Sequence, residues 1–152
     1  MPVQPPDNTT EVREAHRLDE SELARWLSDN IEGFEGPLTV RQFKGGQSNP
    51  TFWLGGGERA YVLRKKPPGK LLPSAHQVER EYRVMKALQD TDVPVPTMHG
   101  LCEDDAVIGT PFFVMEYLDG RLFWDVRLPD LSRDERAAVY EELVRVLAAL
   151  HS

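Results

Sequence analysis

Cysteine is nearly missing from this sequence, and long apolar runs are missing altogether. Cys102 is the single cysteine among 152 residues, which excludes a disulfide framework within the chain and a four-cysteine zinc site. A reducing, cytoplasmic setting fits this composition best. No apolar run approaches the roughly 18 residues that a membrane-spanning helix needs, and residues 1–20 lack the apolar segment of a secretory signal. We therefore expect a cytoplasmic protein with no membrane partner.

Basic residues are scarce relative to acidic ones, because 18 lysines and arginines stand against 25 aspartates and glutamates. The formal net charge of −7 disfavours nonspecific binding to nucleic acid, so we expect no nucleic-acid partner. The four histidines are scattered and lack the spacing of a metal site. Hydrophobic residues make up 40% and charged residues 28%, which is ordinary for a folded domain with its own core.

Helix starts are the clearest local signals in the chain. Residues 1–18 combine prolines and mixed charge with no apolar period, which predicts a flexible N-terminal arm. A helix is then predicted, because Asp19 can cap its first turn with Glu22 as the capping-box partner. The same pattern recurs before two further apolar-periodic segments, at residues 74–77 and 132–135, and predicts two more helices.

Segments rich in β-branched and aromatic residues lie between these helices and are bounded by glycine or proline. Glycine turns join the first three of them into an antiparallel meander. The order is helix, three strands, helix, two strands, helix, which predicts an α+β fold with an antiparallel sheet of about five strands and a packed helix. The predicted strands cover residues 38–44, 51–54, 60–64, 98–102 and 111–117.

Five short motifs occur in a fixed order along the chain: GGQSNPT at 45–51, YVLR at 61–64, VEREY at 78–82, VPVP at 93–96 and FVMEY at 113–117. Together they resemble the aminoglycoside-phosphotransferase family, which has a protein-kinase-like fold, and most of all the kinase-like domain that accompanies some acyl-CoA dehydrogenases. The resemblance covers about residues 38–152. It implies an N-terminal lobe with an added helix over residues 19–118, followed by a hinge exit and the first C-lobe helix over residues 119–152.

The resemblance implies that a glycine loop cradles the phosphates of a bound nucleotide. Gly45 and Gly46 would let backbone N–H groups approach phosphate oxygens, because no Cβ stands in the way. Ser48 and Asn49 would offer further donors at the tip of the loop. A plain hairpin turn is the alternative interpretation of the same residues.

A cation on the third strand and a glutamate on the next helix complete the implied phosphate site. The family match puts Arg64 at the position of the phosphate-binding lysine and Glu81 at the position of its tether. Lys65 is the alternative cation, because a slip of one residue exchanges the faces of a strand. For Lys66 we favour a solvated charge before a proline turn. The alternative for Glu81 is a surface residue of an amphipathic helix.

The fifth strand leads into the hinge, where the resemblance implies an adenine site of backbone groups between apolar walls. Met115 would guard the back of the slot, and Val62 would line its roof. The Glu116 carbonyl would accept a hydrogen bond from the adenine amino group, and the Leu118 N–H would donate one to the ring. Trp124 is placed on the substrate side. The alternative is a core strand that ends in a turn, and the two interpretations are compatible.

By resemblance, the parent protein is a phosphotransferase that moves the γ-phosphoryl group of ATP or GTP to an alcohol group of a small molecule, with Mg²⁺ as the expected metal. The association with acyl-CoA dehydrogenases suggests a hydroxyacyl-CoA as that substrate. The family's catalytic aspartate and metal ligands belong to a large lobe that has no match here. We therefore expect no catalytic or metal-binding residue in this chain, and no activity from the chain alone.

Two other functions stay open at this point. A non-catalytic pseudokinase would bind nucleotide without transfer, and Arg64 in place of lysine leaves room for it. An interaction module would keep the kinase-like outline without any nucleotide. The last helix would also expose its apolar stripe if no large lobe covered it, which predicts a chain that is dimeric or prone to aggregation.

Overall fold

The computed structural model describes residues 1–45, 49–70, 72 and 75–152. Within them the chain forms a six-stranded antiparallel sheet in the order β1-β2-β3-β4-β6-β5, with helices on both faces. The strands are β1 (Thr9–Thr10), β2 (Leu38–Phe43), β3 (Thr51–Gly56), β4 (Arg59–Lys65), β5 (Met98–Cys102) and β6 (Phe112–Glu116), and the helices are α1 (Glu20–Asn30), α2 (Val78–Leu88), α3 (Asp105–Ile108) and α4 (Arg133–His151). The predicted α+β class with an antiparallel sheet is confirmed, with one strand more than expected.

That extra strand comes from the N-terminal segment, residues 1–18, for which the sequence predicted a flexible arm without any strand. β1 pairs with Phe43 and Gln42 at the outer edge of β2. Further towards the N-terminus, the Val3 N–H donates to the Gly57 carbonyl at 3.1 Å. The segment has no apolar period to signal this arrangement, because it is held by the free backbone groups of an edge strand together with isolated side-chain contacts, such as that of Val12 with the larger core.

Helix α1 covers one face of the sheet. The Asp19 carboxylate caps it as predicted, by accepting hydrogen bonds from the backbone N–H groups of Ser21 and Glu22. The predicted capping box is not closed among the described residues, because the Glu22 carboxylate accepts from Arg25 instead. Leu23 and Leu27 are fully buried beneath it, and burial of one such side chain is worth about 1.5–3 kcal/mol. The strand residues of this larger core are Val40, Phe52, Leu54, Tyr61, Leu63, Cys102, Phe112 and Val114.

Helix α2 covers the opposite face, where Val78 is fully buried and packs with Phe113 in a smaller core. The capping box predicted for this helix is wrong. The helix begins at Val78 with Gln77 at the N-cap position, and the Gln77 side chain makes no capping bond. His76, the residue before Gln77, has a left-handed φ of 55°, so a right-handed helix cannot include it. Ser74 lies outside the described residues.

Helix α4 has the capping box that the sequence predicts. The Ser132 hydroxyl accepts from the Glu135 N–H, and the Glu135 carboxylate accepts from the Ser132 N–H. No residue of α4 is buried, and Leu143 and Leu147 are 52% and 45% exposed. An apolar stripe is therefore open along this helix. Among the described residues, no helix combines the length and apolar character that crossing a membrane requires.

Candidate functional site

Strand register decides which of the predicted cations can reach the predicted site. Val62 on β4 pairs with Met115 on β6, and Arg64 lies two residues further along the same strand, so all three face α2. Lys65 faces the other side of the sheet and is only 5% exposed. The one-residue slip that would have favoured Lys65 does not occur, and Arg64 is the cation on the face of the predicted site.

Arg64 and Glu81 form an ion pair between β4 and α2. The Arg64 Nε lies 3.0 Å from the Glu81 Oε2, and both side chains are about one-third exposed. The Nε–H does not point along this contact, so Nε makes no aligned hydrogen bond within the described part of the chain. Electrostatic attraction therefore holds the pair together. The guanidinium group of Arg64 retains other N–H donors that an anionic ligand could accept hydrogen bonds from.

Glu81 also anchors the far end of the glycine loop. The Asn49 Nδ2 donates to the Glu81 Oε1 at 2.9 Å, and the Asn49 side chain is almost fully buried. The other end of the amide, Oδ1, lies 2.9 Å from the His76 Nδ1, which must carry the proton in this contact. Sequence reasoning placed Asn49 at the loop tip and missed this anchoring role. Gly46 and Ser48 of the same loop lie outside the described residues.

A cavity of about 510 Å³ opens beside this network, next to the exit of β6. Its lining includes five of the residues predicted for the nucleotide, namely Gly45, Val62, Met115, Glu116 and Leu118. Arg64 and Glu81 line a neighbouring cavity, and Met115 and Pro96 border both. The fold therefore brings together the predicted adenine residues and sets the charged pair directly behind Met115.

Several residues of the larger cavity were not predicted. Thr51 lines the cavity because it lies on the same face of the sheet as Val62. Thr51 pairs with Arg64 across β3 and β4, so this pairing and the alternation of side chains along β4 could have predicted its position. Asn8 lines it because β1 docks at the edge of the sheet, for which the sequence gives no signal. Trp124 was expected on the substrate side, and it lines this cavity.

The Trp124 ring lies over the start of the glycine loop. A Cβ built on Gly45 would come within 2.8 Å of the Trp124 Cη2, so only glycine accepts the ring at this distance. Trp124 is nevertheless 80% exposed. It therefore forms the solvent-facing wall of the cavity and is not part of the core.

Lys66 is not the solvated charge that the sequence favoured. It forms an ion pair with Glu79, and the two side chains are 22% and 17% exposed. Burial by itself would raise the pKa of Glu79, but the hydrogen bond from Lys66 and the charges of Lys66 and Arg83 together lower it. Arg64 on β4 and Lys66, the first residue after β4, thus each meet a carboxylate of α2, because alternate residues of an extended segment point to the same side.

Comparisons with known proteins agree with this architecture. A model of the phosphotransferase enzyme family matches residues 39–152. A relative from Arabidopsis thaliana, probable acyl-CoA dehydrogenase IBR3, is 48% identical over 96% of this chain and 19% of its own length. Acyl-CoA dehydrogenase family member 11 of Homo sapiens is 49% identical over 93% of this chain and 19% of its own length. The chain therefore spans about a fifth of these relatives.

A solved crystal structure is similar as well. It is a protein of Ralstonia eutropha described as a candidate aminoglycoside phosphotransferase, and it superposes on this chain with a TM-score of 0.76 at 51% identity. The match covers 89% of this chain and 38% of that protein.

Proposed function

This chain belongs to the phosphotransferase enzyme family, and we propose on that basis that it binds ATP as the nucleotide-binding part of a kinase-like phosphotransferase. The observation that carries the proposal is the ion pair of Arg64 and Glu81 directly behind an apolar-walled cavity at the exit of β6. A cation tethered in this way, beside a slot for the base, is the arrangement that holds phosphates in kinases.

The adenine ring would occupy the larger cavity. Val62 and Met115 supply apolar walls from neighbouring strands. The Leu118 N–H makes no backbone hydrogen bond within the described part of the chain, so it is available as a donor to a ring nitrogen. The Glu116 carbonyl would accept from the exocyclic amino group. An amino group at that position distinguishes ATP from GTP, so this pairing favours ATP.

The phosphates would lie between the glycine loop and the charged pair. Arg64 stays protonated in any protein environment and can grip two phosphate oxygens with its planar fork. Glu81 would fix the guanidinium in place, and its contact with Asn49 would couple the loop to the same carboxylate. Gly45, with the predicted Gly46 and Ser48, would bring backbone N–H groups close to the oxygens.

Magnesium and the acceptor need residues that these elements do not supply. In the described ranges, no group of three or more histidine, cysteine, aspartate or glutamate side chains could hold a metal ion. Mg²⁺ would neutralise charge on the transferred phosphoryl group. We propose that its ligands and the catalytic base belong to the remaining part of the longer family members, which also binds the hydroxyl substrate.

We further propose that this substrate is a hydroxyacyl-CoA and that the setting is cytoplasmic. The support for the acyl-CoA substrate is indirect: relatives that share this region carry names of the acyl-CoA dehydrogenase family. A pseudokinase is the second candidate function. The observation that favours it is the presence of Arg64 at the position of the phosphate-binding lysine. The Arg64 Nε–H is not aligned with Glu81, and the planar guanidinium group is wider than the ammonium group of a lysine.

Calorimetric titration of the protein with ATP, with and without Mg²⁺, tests the nucleotide site. We expect saturable binding of one ATP, and Arg64→Met should weaken it at least about tenfold, the equivalent of about 1.4 kcal/mol. Lys70→Met is the matched control, since it removes one exposed cationic charge that lies outside the cavity. Absence of ATP binding by the folded protein, or equal losses in both variants, would overturn the proposal.

A further inference from the structure

A third cavity lies beyond the end of β4, on the face of the sheet that α1 covers. Its volume is about 310 Å³. It is bounded by the segment before α1, by the turn after β4 and by the turn between α3 and β6. The residues that matter for its chemistry are Arg17, Lys65, Lys66, Gly109 and Thr110. It is separated from the proposed nucleotide site by the thickness of the sheet.

Lys65 is the central polar group of this cavity. The residue is only 5% exposed, and within the described part of the chain its ammonium group has neither a carboxylate partner nor a hydrogen-bond acceptor. The ammonium nitrogen keeps some accessible surface, and Lys65 lines the cavity. Burial of the residue lowers its pKa. Its two neighbours in the chain differ from it, because Arg64 pairs with Glu81 and Lys66 pairs with Glu79. A partly desolvated ammonium without a counter-charge is costly, so a ligand that supplies the counter-charge would be favoured.

The rest of the lining has the character of an anion site. Arg17 adds a guanidinium to the lining, and none of the described residues that line the cavity is acidic. Gly109 ends α3 in the left-handed conformation, with φ of 83°, and this turn carries Thr110 to the rim. The Thr110 hydroxyl makes no hydrogen bond within the described ranges, so it is available to a ligand oxygen. Two cationic groups that are not paired within the described residues, those of Lys65 and Arg17, therefore line this cavity together with a hydroxyl.

We propose that this cavity is a binding site for a small oxyanion, in which the Lys65 ammonium makes the central contact with a phosphate group and Arg17 closes the mouth. The site is distinct from the nucleotide site, because Lys65 and Arg64 lie on opposite faces of β4. Its ligand is either free inorganic phosphate or the phosphate group of a larger molecule, since both present the same oxygens to the lysine.

The test follows the Lys65 side chain directly. In protein with isotope-labelled lysine, the Lys65 resonances are titrated with pH in the absence and presence of inorganic phosphate. We expect phosphate to raise the pKa of Lys65, because the bound anion stabilises the charged form. Glycerol phosphate is the second probe: an equal response to it indicates a site open to phosphate esters, and a response to inorganic phosphate alone indicates a closed site.

Three variants decide which residues carry the effect. Lys65→Met keeps the length of the side chain without its charge, and calorimetric titration with inorganic phosphate, with the nucleotide site saturated by ATP, should show binding at least about tenfold weaker. Arg64→Met, which damages the proposed nucleotide site, should leave the response of the Lys65 resonances to phosphate unchanged, and so should Lys86→Met, which removes an exposed charge on α2. If Lys65→Met fails to fold, the resonances of the unaltered protein still give an answer. Lys65 resonances that do not respond to phosphate, or a response lost equally in Lys86→Met, would overturn the proposal.

Discussion

The Asn49 amide donates a hydrogen bond of 2.9 Å to Glu81, the same carboxylate that lies 3.0 Å from Arg64. One glutamate of α2 therefore ties the end of the glycine loop to the cation of β4. Because Asn49 is almost fully buried and also contacts His76, this junction is fixed by the fold before any ligand arrives. The loop and the cation should consequently respond together to changes at either one.

Replacement of Asn49 tests the anchoring. Asn49→Leu keeps roughly the same volume but leaves the Glu81 and His76 side chains without this partner, and we expect it to lower the free energy of unfolding by about 1–3 kcal/mol. Urea denaturation measures the change. The control is Asn30→Ala, because the exposed Asn30 bonds only to the Trp26 carbonyl and its loss should cost less than about 0.5 kcal/mol. Similar losses for both variants would contradict the anchoring role.

Replacement of Glu81 separates ligand binding from stability. Glu81→Gln keeps the shape of the side chain and removes the charge that holds Arg64, so we expect ATP affinity to fall about tenfold. The free energy of unfolding should change by less than about 1 kcal/mol, because the pair is about one-third exposed and solvent screens it.

Glu79→Gln is the matched control on the same helix. It breaks the pair with Lys66, which lies outside both cavities proposed for the nucleotide. Calorimetry should show unchanged ATP affinity for this variant. If Glu79→Gln weakened ATP binding as much as Glu81→Gln does, the tether would be a general charge effect and not a feature of the site.

A methyl group on Gly45 should displace the Trp124 ring, since its Cβ would lie only 2.8 Å from Cη2. Gly45→Ala is therefore expected to change the tryptophan fluorescence while the free energy of unfolding changes by less than about 1 kcal/mol, because an exposed ring can swing away at little cost. The same substitution in a Trp124→Phe background should leave the emission unchanged. An equal spectral change in both backgrounds would place Trp124 away from the loop.

The buried Lys65 predicts a pH dependence of stability. Its pKa in the folded protein is lowered by burial from 10.5, so the unfolded chain binds more protons in the interval between the two values. Stability should therefore rise as the pH increases through that interval. Urea denaturation at a series of pH values should show this rise in the unaltered protein and not in Lys65→Met. The two proteins differ only at residue 65, so the difference between their curves isolates Lys65. Parallel curves would contradict the prediction.

The open stripe of α4 predicts self-association. Leu143 and Leu147 are about half exposed on a helix that has no buried residue, and an apolar stripe of this kind needs a partner. We expect light scattering at high concentration to show dimers or larger species, and the double substitution Leu143→Glu and Leu147→Glu to return the protein to monomer. A monodisperse monomer for the unaltered chain would refute this prediction.

Local signals predicted most of the elements. The strand at 98–102 coincides with β5, and β4 extends the predicted strand by one residue at each end. The caps at Asp19 and Ser132 are where the pattern placed them. These features depend on bonds between near neighbours in the chain, so the sequence contains them. The edge strand at residues 9–10 was missed because its backbone bonds join it to a distant segment.

The division of roles along β4 shows where the sequence alone stops. Alternation by itself determined that Val62 and Arg64 share one face and that Lys65 takes the other, because successive side chains of a strand point to opposite sides. Only the tertiary structure decided that α2 covers the first face and brings Glu81 to Arg64. It also decided that α1 covers the second face, where no carboxylate of the described residues pairs with Lys65. The physical reason is that alternation is a property of one strand, whereas the helix packed on each face depends on contacts between segments far apart in the chain.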